Sequence, residues 1–144
     1  MPLQLDAEGV RAFIESVWPG AFESYEILAL EERRAVVKMV HHPRMLRPGG
    51  TVSGPALMAL ADLAVWVAVI AVVGPVAMTV TTHLDIDFLR FVGAHDVVAD
   101  TRLLKLGRTL AVGDVLMTAD GSAEPCAHAS VTYSIPPGGK TASS

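Results

Sequence analysis

The chain has 144 residues, 51% of them hydrophobic, and a formal net charge of −4 at pH 7. That length suits one domain with a true core, and the acidic balance argues against nucleic acid, which needs a basic stripe. The single cysteine, Cys126, excludes an internal disulfide and a cysteine-rich zinc site, and fits a reducing, cytoplasmic setting.

The N-terminus, Met1-Pro2-Leu3-Gln4-Leu5-Asp6, lacks the basic start and apolar run of a signal peptide. Asp6 can cap a first helix over residues 6–18. Val10, Phe13, Ile14 and Val17 then form one apolar stripe, and Trp18-Pro19-Gly20 stops the helix. Residues 25–30 and 35–40 read as a hairpin about the charged run 31–34. A loop rich in proline and glycine follows over 41–52.

Residues 55–73 are almost wholly apolar, with Asp62 the one charge among them. Pro55 suits the first helical position and Gly74-Pro75 the end. A helix apolar on every side is buried on every side. Its length would also cross a bilayer. The buried acid and the strands that follow favour a central helix covered by a sheet, with no membrane partner.

In residues 79–90 the even positions Val80, Thr82, Leu84, Ile86 and Phe88 are mostly apolar, and the odd positions Thr79, Thr81, His83, Asp85 and Asp87 are polar. That period of two predicts a strand with one buried face. Further strands are expected over 97–106, 109–118 and 127–135, separated by Gly107-Arg108 and Asp120-Gly121 turns. The fold class is therefore α+β, a long central helix and an antiparallel sheet. One domain spans 1–135, and 136–144 reads as a disordered tail.

Asp62 is the leading candidate for chemistry. A carboxylate in an apolar helix is costly without a partner. It is either a structural acid or a general base or nucleophile beside a pocket. Ahead of it, Gly49-Gly50-Thr51-Val52-Ser53-Gly54-Pro55 enters the helix. Free N–H groups at a helix N-terminus can stabilise the negative charge that develops on a carbonyl oxygen under attack. Pro55 donates nothing, which leaves the Gly54 N–H or a near neighbour. Met58 and Trp66 lie one turn either side of Asp62, where they can line an acyl pocket or pack in the core. Arg90, Arg102, Lys105 and Arg108 are candidates for phosphate contacts. His83, Asp85 and Asp87 share a strand face without an evident fourth ligand, so no metal is expected. His41, His42, His95 and His128 have no Cys or Ser partner at triad spacing.

The run from Gly49 to Asp62, ending Leu60-Ala61-Asp62, resembles the helix-entry signature of the phenylacetate-degradation-type hotdog thioesterases. So do Asp85-Ile86-Asp87-Phe88-Leu89-Arg90 and the turn Leu106-Gly107-Arg108-Thr109-Leu110. The similarity spans about residues 41–135, and its most specific element is the spacing from Gly54 to Asp62. The resemblance implies a hotdog fold, in which a curved antiparallel sheet wraps the long helix. It also implies hydrolysis of acyl- or aryl-CoA, with Asp62 driving water onto the thioester and the Gly54 N–H polarising its carbonyl. No separate cofactor is implied, coenzyme A being part of the substrate. The site of that family forms between two subunits, so a homodimer is expected, or a dimer of dimers. Thr81 stands where some relatives carry a serine or threonine that assists catalysis, although the period-two pattern puts it on the polar face. Three positions depart from the family: Ser53 stands in place of a histidine, Pro55 of a second glycine, and Arg47 of an asparagine that holds the attacking water. The other readings are a dehydratase or a non-catalytic acyl-CoA binder, and the missing histidine counts against the dehydratase.

Overall fold

A computed structural model describes residues 2–137. The expected disordered tail falls largely outside the described residues. Helix α1 (Ala7–Val17) begins where the Asp6 carboxylate accepts the Gly9 N–H at 2.8 Å, and it buries Val10 and Ile14. Strands β1 (Tyr25–Glu31) and β2 (Arg34–Met39) form the expected hairpin, with Arg33 in the left-handed region at φ 65°. The predicted loop at 41–52 contains a small two-stranded ribbon, β3 (Leu46–Arg47) and β4 (Thr51–Val52). Its turn relies on Gly49 and Gly50, both at positive φ.

The long helix α2 (Gly54–Val73) is followed by β5 (Val80–Phe88), β6 (Val97–Leu106), β7 (Leu110–Ala119) and β8 (Pro125–Ser134). Six strands form one sheet in the order β1-β2-β6-β7-β8-β5, every neighbouring pair antiparallel. Helix α2 lies across one face of it and touches all six strands. This is the hotdog arrangement.

Alternation along the strands explains how the helix fits. Ala99, Ala111, Ala127 and Ala129 face inward and are fully buried. These small side chains let a helix lined with Val and Leu come close. The tightest approach is at Gly113, where a Cβ would stand 2.7 Å from Val65 Cγ2. Between Leu60 and Val72 every residue of α2 is buried except Asp62. The helix is long and apolar enough to cross a membrane, but 72% of its most apolar window is buried within this domain. It is the core helix.

The strand pattern needs one correction. The β5–β8 register slips between Thr81 and His83, leaving Thr82 as a bulge. His83, Asp85 and Asp87 keep to the outer face, in register with Thr132, Ser130 and His128. Beyond the bulge the alternation inverts. Thr81 pairs with the inward residue Tyr133, and Val80 turns outward and is exposed. A one-residue slip exchanges the two faces of a strand, so Thr81 lies on the helix side and not on the polar face.

Candidate active site

Asp62 shares a stripe of α2 with Ala59, Leu63 and Trp66, at the i, i+3, i+4, i+7 spacing of one helix face. This stripe forms the floor of a cavity of about 620 Å³. Asp62 is half-buried at the cavity wall. Its Oδ1 accepts two hydroxyl hydrogen bonds, from Thr81 at 2.5 Å and from Tyr133 at 2.7 Å. The Tyr133 hydroxyl also lies 3.0 Å from the backbone oxygen of Asp62. Two donors therefore fix one carboxylate oxygen, while no donor among the described residues reaches Oδ2.

Burial, and secondarily the charge of Asp62, push the Tyr133 phenol well above its ordinary value, a hydrogen bond with Thr81 partly opposing them. Tyr133 therefore keeps its proton and acts as a donor. Sequence reading missed this residue. A signal was present: a tyrosine at an inward position of β8, after Ala127, Ala129 and Val131, needs a polar partner for its hydroxyl.

Helix α2 starts at Gly54, one residue before the expected first position at Pro55. Ser53 is the N-cap, its Oγ accepting the Ala56 N–H at 3.2 Å. The Gly54 N–H has no acceptor among the described residues. A Cβ on Gly54 would stand 3.2 Å from Cζ of Phe88, so the missing side chain also makes room for that ring. A second cavity of about 390 Å³ adjoins Ser53 and Arg44. It shares Gly20, Ala21 and Tyr25 with the first. Gly54 and Asp62 are eight residues apart on one straight helix, which separates them by about 12 Å along its axis.

A profile of the thioesterase superfamily matches residues 49–126, more than half of the chain and inclusive of Gly54, Asp62 and Thr81. The chain belongs to the thioesterase superfamily. It is 44% identical to a protein assigned as a thioesterase in Silicibacter sp. TM1040. That solved structure superposes with a TM-score of 0.88, over 95% of this chain and 96% of the other. The phenylacetic acid degradation protein PaaI of Thermus thermophilus, solved as a point mutant, is 27% identical. Its TM-score is 0.68 over 85% and 97% of the two chains. A hypothetical thioesterase protein of Streptococcus pneumoniae TIGR4, solved with coenzyme A, shares the fold. It is 22% identical, with a TM-score of 0.74 over 92% and 98%. Family and neighbours together make this protein a thioester hydrolase.

The remaining candidate residues of this thioesterase-superfamily chain are not all at the cavity. Trp66 lines it, whereas Met58 is on the outer surface, 39% exposed. Arg47 is on the β3–β4 ribbon, its guanidinium 3.3 Å from the Pro48 carbonyl oxygen. Arg90 is held by the Glu124 carboxylate at 2.9 Å and the Pro125 carbonyl at 2.7 Å, an intramolecular clamp. Arg102, Lys105 and Arg108 are exposed, and none has an acidic partner among the described residues. His83, Asp85 and Asp87 lie on the opposite face of the sheet from Asp62, and among the described residues no three such side chains converge as metal ligands.

Proposed function

We propose that this thioester hydrolase acts on acyl-CoA, with Asp62 as base or nucleophile and the Gly54 N–H as the donor to the thioester carbonyl. The observation that carries the reading is Asp62 itself: a carboxylate in the core helix that lines a cavity, with one oxygen anchored by two hydroxyls. As a base, Oδ2 takes a proton from water while the water oxygen attacks the carbonyl carbon. The oxyanion that forms is held by a helix-terminal N–H. Collapse breaks the C–S bond, and the departing thiolate recovers the proton from Asp62. Coenzyme A as the leaving group is carried over from the Streptococcus pneumoniae neighbour. Lys105 and Arg108, with no acidic partner among the described residues, are candidates for its phosphates. No histidine lines the cavity with Asp62, which disfavours a dehydratase.

The spacing within α2 supports a dimeric site. A donor and a base about 12 Å apart on one helix do not serve one carbonyl carbon, so the Gly54 that meets this Asp62 belongs to a second copy. The β5 edge is unpaired in the sheet. Beside it Phe88, Leu89 and Phe91 are exposed, Phe91 by 90%. An open strand edge flanked by apolar side chains is suited to an isologous contact.

The test is thiol release from a panel of acyl-CoAs by wild-type protein and Asp62→Asn. The variant retains an oxygen for both hydroxyls, so melting should change little, while the rate falls about a hundredfold or more. Wild-type turnover in the variant would remove Asp62 from the mechanism.

A further inference from the structure

We propose that Trp18, set against Trp66 at the end of the Asp62 cavity, limits the length of the acyl group, so that the substrates are short acyl thioesters of up to about six carbons. The proposal rests on reading the Asp62 cavity as the acyl site.

The stripe of α2 under the cavity has a direction. Ala59 lies towards the exposed N-terminal end of the helix, Asp62 is in the middle, and Trp66 follows one turn later, about 6 Å further along the axis. The apolar lining of the cavity includes Val17, Trp18, Leu63 and Ala77, and Trp18 stands against Trp66. The two indoles are tilted by 48°, with centroids 6.3 Å apart. An acyl chain whose carbonyl sits at Asp62 and which runs along this stripe meets them after about 6 Å. With bonds of about 1.5 Å, a zigzag chain covers that distance in about five carbons beyond the carbonyl.

Trp66 is a buried wall, but Trp18 is not. Trp18 is 62% exposed, so packing alone does not hold it at the rim. The backbone does. Its N–H bonds to the Ile14 carbonyl at 2.8 Å, ending α1, and its own carbonyl accepts the Ala21 N–H at 3.1 Å. The Glu15 carboxylate accepts the N–H groups of Gly20 at 2.8 Å and Phe22 at 2.9 Å, which ties the turn carrying Trp18 and Ala21 across the cavity. Gly20 enters this turn at φ +87°, a conformation that favours glycine. The end wall is therefore a surface segment pinned by one carboxylate, and it can change without disturbing the sheet.

The sequence supplies the probe. The chain has two tryptophans, Trp18 and Trp66, and both line the cavity, so intrinsic fluorescence reports its occupation. Asp62→Asn protein, which should leave the ligand intact, is titrated with straight-chain acyl-CoAs of about two to twelve carbons and with free coenzyme A. Chains up to about six carbons should change the emission saturably; free coenzyme A should not, and the longest chains should bind at least tenfold more weakly. In Asp62→Asn/Trp18→Ala, with Trp66 as reporter, the ratio of long-chain to short-chain affinity should rise at least tenfold. Asp62→Asn/Glu15→Gln should shift the ratio the same way with both indoles retained, which guards against a poorly folded Trp18 variant. An unchanged length profile in both variants overturns the gate. So does emission that ignores the acyl group. Length-selective emission without thiol release by wild-type protein would instead refute hydrolysis and leave the gate standing.

Discussion

Replacing Tyr133 with phenylalanine tests how Asp62 is held. The ring is 3% exposed and would stay in place, so the change removes one hydroxyl from a packed position. Two contacts disappear, 2.7 Å to Oδ1 and 3.0 Å to the Asp62 backbone oxygen. A hydrogen bond to a charged group contributes about 1.5–3 kcal/mol. Asp62 is half-exposed, can recruit water, and keeps Thr81, so the lower end applies, about 1–2 kcal/mol. For a chain of this size that lowers Tm by about 2–8 °C. The carboxylate would then turn about the remaining Thr81 bond, and kcat should fall about tenfold through loss of orientation. A double-mutant cycle with Thr81→Val separates positioning from simple loss of stability. Both hydroxyls hold the same oxygen, so the second removal should cost more than the first, with a coupling in kcat of about 1 kcal/mol or more. Additivity within about 0.5 kcal/mol, or full kcat in Tyr133→Phe, would refute the shared anchor. The alkaline side gives another check. A phenol raised above its ordinary value contributes its stability fully below pH 10 and loses it as pH rises through the folded value. Tyr133→Phe should melt without that alkaline loss.

Ser53→Ala should cost about 1 kcal/mol, the value of an N-cap, and change kcat less than threefold; a tenfold rate loss at unchanged Tm would place the serine in the chemistry. Glu15 accepts two backbone N–H bonds, which hold its carboxyl below the usual 4.5. Its contribution is present above that value and lost as pH falls through the folded one, so Tm between about pH 5 and 3 should drop more steeply for wild type than for Glu15→Gln; parallel curves would count against the latch. Phe91→Asp, at a side chain 90% exposed in one copy, should shift size-exclusion elution from dimer to monomer and abolish thiol release. An active dimer in that variant would move the interface elsewhere.

Much of this fold was legible because it depends on periodicity. The apolar run to Val73 could be satisfied by burial on all sides, and the alternating strands after it needed one face covered. The element boundaries follow from Asp6, Ser53 and Gly74 at helix ends. The site was legible where one residue broke a pattern, as Asp62 does. It was not legible where geometry depends on a register. Thr81 and Thr82 are chemically alike, and nothing in Thr79-Val80-Thr81-Thr82-His83 says which threonine is the extra one. The bulge decides that, and with it which hydroxyl meets Asp62. Arg90 illustrates the same dependence on long-range geometry. As a basic residue just past a strand it read as a phosphate contact, and the fold pairs it with Glu124, 34 residues away in sequence.

The bulge also sets which side chain meets the one polar break in the buried run of α2. A carboxylate in that helix is costly to bury without polar partners. Strand β5 avoids this locally. By holding Thr82 as an extra residue it brings Thr81 to the inward position opposite Tyr133, which Thr82 would take in an unbroken strand, and the Thr81 and Tyr133 hydroxyls meet the acid there. The same inversion turns Val80 outward, where it is exposed and borders the cavity. The two hydroxyls so placed are the polar partners of the Asp62 carboxylate. Deleting Thr82 tests this coupling. Removing the extra residue keeps Thr81 opposite Tyr133 and His83 opposite Thr132, so Thr81 should still face Asp62 and thiol release should stay within about threefold of wild type, whereas Thr81→Val with the bulge intact should lose one of the two anchors and lower it about tenfold. A folded deletion variant whose thiol release falls tenfold or more would show that the bulge itself, and not only the Thr81 hydroxyl, holds the site.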